Sequence, residues 1–218
     1  MKLNRSYALS MMPILLFITC CSQNSFKSIL PDDFELQEGD IVFRRGGGLT
    51  SRIVLAADAD GNYSHIGIVV DSAGVKMIVH AVPGEPDFKG DADRVKMDSP
   101  EHFFSTEFTV IGEVCRSNDS TIARKAAMVA MSQYRKGLLF DHDYDDEDST
   151  KMYCTELVAF AFRKAGLELL GKERHKVSLP FIKAECIFPS DIYCSEYIES
   201  VCQFEDHSLQ TNYKKQRL

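Results

Sequence analysis

The chain has 218 residues, 44% of them hydrophobic and 26% charged, which fits one moderately large globular domain and excludes a disordered chain or a many-span membrane protein. Its 25 basic and 32 acidic residues leave a net charge of −7. A protein that tracks a phosphate backbone needs a basic face, so nucleic acid is not an expected partner.

The N-terminus reads as an export signal. Lys2 and Arg5 precede an apolar run from Ala8 to Thr19 in which only Ser10 and Thr19 are polar. As a helix that run rises roughly 18 Å, short of a hydrocarbon core about 30 Å thick, so a permanent span is not expected. It stops at Cys20 and Cys21, ahead of polar Ser22, Gln23, Asn24 and Ser25. The layout resembles a bacterial lipoprotein signal over residues 1–21. Cys21, or else Cys20, is the expected lipidation site, although Thr19 or Cys20 stands where such signals carry a small residue. Residues 22–31 then read as a tether, 32–206 as the domain, and 207–218 as a polar tail. The expected location is the bacterial cell envelope, with the body held at the membrane, in the periplasm or on the outer face, by a multiply acylated cysteine. Five cysteines remain: Cys115, Cys154, Cys186, Cys194 and Cys202. The odd number leaves at least one thiol unpaired, and a disulfide among the last three stays open. With no C-x-x-C pair, no zinc site is expected, nor any other metal or cofactor.

In chain order, the turn Glu38-Gly39-Asp40 precedes a strand at Ile41-Val42-Phe43, which Gly46-Gly47-Gly48 breaks. Thr50 or Ser51 is expected to cap a short helix through residues 52–57. His65–Val70 and Lys76–Val82 flank the turn Asp71–Gly74 as an antiparallel hairpin. Phe108–Val114 reads as a strand, and Ser120–Lys136, closed by Gly137, as a helix with Ile122, Ala126, Val129 and Ala130 on one face. The acidic run Asp141–Asp148 fails the calcium-loop pattern, since Asp146 stands at the glycine position and Met152 at the final ligand position, and reads as a solvated loop rimming a cleft. The triple glycine lacks the lysine of a phosphate loop and is expected at the lip of that cleft.

Residues 151–165, closed by Gly166, form the strongest predicted helix, with Cys154 in its first turn. Free N–H groups and the positive end of the helix dipole favour a thiolate there and supply part of an oxyanion hole. Asp145, Asp146, Glu147 and Asp148 upstream act in the opposite sense. Alone, such a cysteine is as well explained as a small buried hydrophobe.

Three segments together alter that weighting: Tyr63-Ser64-His65-Ile66-Gly67-Ile68-Val69, Tyr153-Cys154-Thr155-Glu156-Leu157-Val158 and Glu38-Gly39-Asp40-Ile41-Val42-Phe43-Arg44. They resemble motifs of the YiiX/YebB-like cysteine hydrolases, circularly permuted papain-like relatives of the NlpC peptidases, and the resemblance spans about residues 36–194. It implies an α+β fold, an antiparallel sheet packed against helices. It also implies that Cys154 is the nucleophile, His65 the general base and His80 the residue that orients it. The bare residues agree in one respect, because His65 and His80 fall on adjacent strands of the predicted hairpin. A neutral His80 would then accept the His65 proton through a ring nitrogen. Tyr63 is a candidate oxyanion donor by its nearness to His65, whereas Tyr153 is expected to be structural.

The resulting expectation is a monomeric, exported, lipid-anchored cysteine hydrolase that cleaves an amide, such as a cell-wall peptide, or an ester through a thioester acyl-enzyme. The alternatives are a lipid acyltransferase or lipase of the same fold and a non-catalytic envelope-binding lipoprotein.

Overall fold

The computed structural model of the protein describes residues 26–58, 61–144, 148, 150–171, 175–179 and 182–206. The signal segment with Cys20 and Cys21, the acids 145–147 and the tail 207–218 lie outside the described residues.

In chain order the elements are β1 (Ile41–Arg45), α1 (Leu49–Ala57), β2 (His65–Ser72), β3 (Val75–Val82), β4 (Arg94–Asp98), α2 (Pro100–Phe103) and β5 (Ile111–Ser117). There follow α3 (Ser120–Lys136), β6 (Leu139–Phe140), β7 (Lys151–Met152), α4 (Cys154–Ala165), β8 (His175–Leu179), β9 (Ile182–Cys186), α5 (Pro189–Tyr193) and β10 (Ile198–Glu205). Eight strands form one sheet in the order β10-β5-β1-β2-β3-β4-β6-β7, antiparallel throughout except for the β6–β7 pair, while β8 and β9 form a separate hairpin.

Strand alternation sorts the β2–β3 side chains onto two faces. Ile66, Ile68, Val70, Val79 and Ala81 face the main core with α3 and α4. Val69 and Ile78 face a smaller cluster with Val42, Phe103, Phe104 and Val114. The hairpin turns at Ala73 and Gly74, both with positive φ (55° and 86°), the backbone of the two-residue turns that match strand twist.

Several sequence expectations shift. Gly48, not Thr50 or Ser51, stands at the N-cap of α1, and it offers no side-chain cap. The strand expected at 108–114 is β5, displaced towards the C-terminus, because Phe108 and Thr109 are held in a turn by N–H bonds to the Ser105 carbonyl (3.0 and 2.8 Å). Lys151 and Met152 belong to β7, so α4 begins at Cys154 itself. The tether expectation fails for its described part. Ile29 N–H donates to the Phe104 carbonyl at 3.0 Å, and the Lys27 carbonyl accepts from Thr106 N–H at 2.8 Å. Ile29 and Leu30 also pack on the smaller cluster, burying apolar surface that a free tether would expose. All five cysteines of the domain are free thiols, so the disulfide left open among Cys186, Cys194 and Cys202 is not formed. Among the described residues no helix is long and apolar enough to cross a membrane.

Candidate active site

Cys154 is the first residue of α4, where N–H groups lack intrahelical partners. Glu156 accepts from the Tyr153 N–H at 3.3 Å and closes one of them locally. Others remain for the thiol: the N–H groups of Ile66, Thr155 and Cys154 are directed at its sulfur. The Ile66 group ties α4 to β2 at the residue next to His65. Burial nonetheless dominates and pushes the Cys154 thiol up to about 11, against those N–H bonds and the charge of Arg44. The thiolate expected from the helix dipole alone is therefore not the resting form, since desolvation of the charge outweighs the dipole.

His65 opens β2 and His80 lies near the end of β3, on the face opposite Val79 and Ala81. Their rings meet across the strands, with His65 Nε2 2.9 Å from His80 Nδ1. Phe103 flanks both, its ring centroid 5.7 Å from that of His65 and 5.1 Å from that of His80. Behind His80, Nε2 lies 3.0 Å from Asp98 Oδ2 at the end of β4. Burial, reinforced by the charge of Arg44, holds His65 well below its ordinary pKa. Burial also lowers His80, although the Asp98 bond works the other way. Both imidazoles are therefore neutral at pH 7.

Cys154 and His65 line one cavity of about 320 Å³. Its walls include Arg44 and Glu85, Phe108, Tyr144 and the segment Cys186–Pro189, and Gly46, Gly47 and Gly48 form part of its rim as the sequence suggested. Thr155 fastens the far wall by donating from Oγ1 to the Ile187 carbonyl at 2.5 Å, and Ile187 N–H donates to the Tyr153 hydroxyl at 3.1 Å, the structural role expected of Tyr153. Arg44 is buried, ion-paired with Glu85, and places its guanidinium 4.6 Å from the Phe103 ring centroid.

Tyr63 does not take the oxyanion role. It is buried away from the cavity lining, its hydroxyl donates to Glu113, and Gln203 Nε2 donates back to it at 3.0 Å. Tyr63 lies ahead of β2 and its ring packs in the main core against Phe43 and Tyr193, with centroids 5.5 Å apart in both pairs, so nearness in sequence to His65 misled. Asp98 is the site residue that sequence reasoning missed. β4 went unrecognised, although the Asp98-Ser99-Pro100 sequence marks a strand end followed by a helix cap and a first-turn proline, and Ser99 does cap α2 by accepting from His102 N–H at 3.2 Å.

A cysteine on a helix start late in the chain, sharing a cavity with an earlier histidine on an antiparallel sheet, is the arrangement of a permuted papain-like fold. The chain belongs to the permuted papain-like amidase family YaeF/YiiX, C92, which it matches over residues 35–202. Among solved structures it is similar to the crystal structure of metalloprotein yiiX from Escherichia coli O157:H7, with 18% identity and a TM-score of 0.63 over 79% of this chain and 100% of that one. At that identity the likeness is one of fold. Among the described residues of this chain, no three His, Cys, Asp or Glu side chains converge as a set of metal ligands. No curated protein matches the sequence.

Proposed function

We propose that the protein is a cysteine amidase in which Cys154 is the nucleophile, His65 the general base and His80 the residue that orients His65. The 2.9 Å contact between His65 Nε2 and His80 Nδ1 carries this reading. It occupies one nitrogen of His65 and leaves Nδ1 as the only ring atom able to take a thiol proton. Both groups rest neutral, so the proton moves during attack. Sγ–H passes its proton to His65 Nδ1 as sulfur adds to the carbonyl carbon. The negative oxygen is met by backbone N–H groups at the start of α4. On collapse the C–N bond breaks, His65 returns the proton to the leaving amine, and a thioester remains on Cys154. Water, deprotonated by His65, then releases the acid and restores the thiol.

The signal-like N-terminus supports an envelope setting: export and lipidation at Cys21 or Cys20 would hold the enzyme at the envelope, where muropeptides are the amide substrates at hand. A second reading, acyl transfer or hydrolysis on lipids, draws on α1. Leu49 lines the cavity mouth and is 74% exposed, and Ile53 one turn on is 48% exposed, an apolar rim that an acyl chain would cover.

The test is incubation of the full-length protein with muropeptides and with acyl-lipids, followed by mass spectrometry. A hydroxylamine-labile acyl adduct on Cys154, absent from His65→Ala, is expected with one substrate class. Absence of turnover and of adduct with both leaves the binding-lipoprotein alternative. Metabolic labelling with palmitate, lost in a Cys20→Ser, Cys21→Ser double variant, is the expected mark of the anchor.

A further inference from the structure

We propose that Asp98 is a positioning residue that fixes the tautomers of His80 and His65, so that His65 presents a bare Nδ1 to Cys154. The inference rests on the reading of Cys154 and His65 as nucleophile and base, and adds a residue to that site.

The argument is a proton count along three side chains. Register places Lys96 opposite His80, so Asp98, two residues on, is its diagonal neighbour on the same face of the sheet. Asp98 Oδ2 lies 3.0 Å from His80 Nε2 and 3.2 Å from His102 Nδ1, and Lys96 Nζ lies 3.3 Å from Oδ1. Both carboxylate oxygens are thus occupied as acceptors. Burial works to raise this carboxyl, but the hydrogen bonds from His102 and His80 and the charge of Lys96 outweigh it and hold it well below the usual carboxylate range. An ionised carboxylate has no proton to give. His80 Nε2 must therefore be the donor.

Neutral imidazole carries one N–H, so His80 Nδ1 is an acceptor. The atom facing it, His65 Nε2, must then donate, and His65 Nδ1 is left with a lone pair. With no carboxylate at position 98 the same two rings satisfy each other equally well with both protons reversed. In that state His65 carries its proton on Nδ1 and cannot accept one from sulfur. His80 is fully buried and Asp98 nearly so, so the acceptor at His80 Nε2 is a side chain of the fold rather than bulk water. The carboxylate is held in turn by its place at the end of β4 against α2, one turn of which brings His102 back onto it.

The experiment is long-range ¹H–¹⁵N correlation on the histidine rings of the uniformly ¹⁵N-labelled protein, with rates of iodoacetamide alkylation of Cys154 at pH 7 read by mass spectrometry. In the wild type, both His65 and His80 should show a protonated Nε2 and a bare Nδ1. In Asp98→Asn the amide can donate to His80 Nε2, and both rings should reverse. Alkylation should slow by roughly 100-fold, the usual scale of a lost general base. Asp98→Glu should retain the wild-type tautomers and recover part of the rate. Urea midpoints taken alongside separate this from unfolding, and Asp98→Asn is read only where the fold persists; if it does not fold, the wild-type and Asp98→Glu spectra decide. A wild-type His65 protonated on Nδ1, or an Asp98→Asn protein with unchanged tautomers, overturns the proposal. The ring spectra need no substrate. Expected tautomers in a protein that turns over nothing would sink the amidase reading alone, and reversed tautomers in an active enzyme would sink this proposal alone.

Discussion

At Cys154 two effects compete, and their sizes decide how the site rests. Unpaired N–H groups at a helix start stabilise a thiolate by up to about 2 kcal/mol in favourable geometry, whereas removing a charge from water costs several. The thiol is accordingly pushed up to about 11 and His65 well down, so the pair is neutral at rest. Two consequences are measurable. If His65 is the base as proposed, the acid limb of kcat/KM should fall below pH 6.5, because that role needs the unprotonated ring and burial keeps it unprotonated further into acid; a limb at or above 6.5 would contradict this. Direct alkylation of Cys154 in His65→Ala, where no base assists, should climb from pH 8 towards 11 rather than level off near neutrality. Gly67 offers a separate test of the histidine pair. A Cβ there would lie 2.7 Å from Ile78 Cγ2 and 3.2 Å from His80 Cβ. Gly67→Ala should therefore cost on the order of 1–3 kcal/mol in urea unfolding and displace His80, lowering turnover more than stability explains.

At the scale of elements, periodic segments with strong ends were legible and short ones were not. Helix α3 has the predicted bounds because Gly137 closes it and the small residues Ala123, Ala126, Ala127 and Ala130 form a buried stripe. The hairpin was legible from its alternation and its turn residues, and with it the adjacency of His65 and His80. Strands of two residues such as β6 and β7 carry no period to read, and β10, with charged and polar residues interleaved at an edge, reads as surface. Position 98 is lost with β4, whose five residues Arg94-Val95-Lys96-Met97-Asp98 do alternate but offer only two apolar positions between a Gly- and Asp-rich stretch and Ser99-Pro100. Partners across a sheet become visible only once the strand that carries them is recognised. The N-cap of α3 shows the energetic side of such ends. Asp119 Oδ1 accepts from Thr121 N–H at 2.8 Å and from Ile122 N–H at 3.0 Å. Asp119→Ala should lower stability by about 1 kcal/mol in urea unfolding while turnover by the remote site stays unchanged. A loss of activity there would mean that α3 positions α4 more delicately than its packing implies.

Across the whole molecule, buried titratable groups bound the stable pH range from both sides. On the acid side, His65 and His80 are both lowered from the ordinary value of 6.5. Below 6.5 the unfolded chain takes up protons that the folded chain refuses, so stability is full above that pH and is lost as pH falls towards the folded values. Asp98, lowered from 3.8, adds a second loss only below that pH. On the alkaline side, burial raises Cys115 to about 12 and Cys154 and Cys186 to about 11, each from 9.0. The unfolded chain ionises these thiols first, so their contribution is complete below pH 9 and disappears as pH rises through the folded values. A tenfold difference in a group's proton affinity between the folded and unfolded chain is worth about 1.4 kcal/mol. Urea midpoints should therefore form a plateau between about pH 6.5 and 9 and decline on both sides. Cys115→Ser, which removes a buried thiol outside the cavity, should soften the alkaline decline and leave the acid one in place. A midpoint that stays level from pH 5 to 10 would show that these groups remain solvated in the folded chain, and would remove the basis for a neutral resting pair at the site.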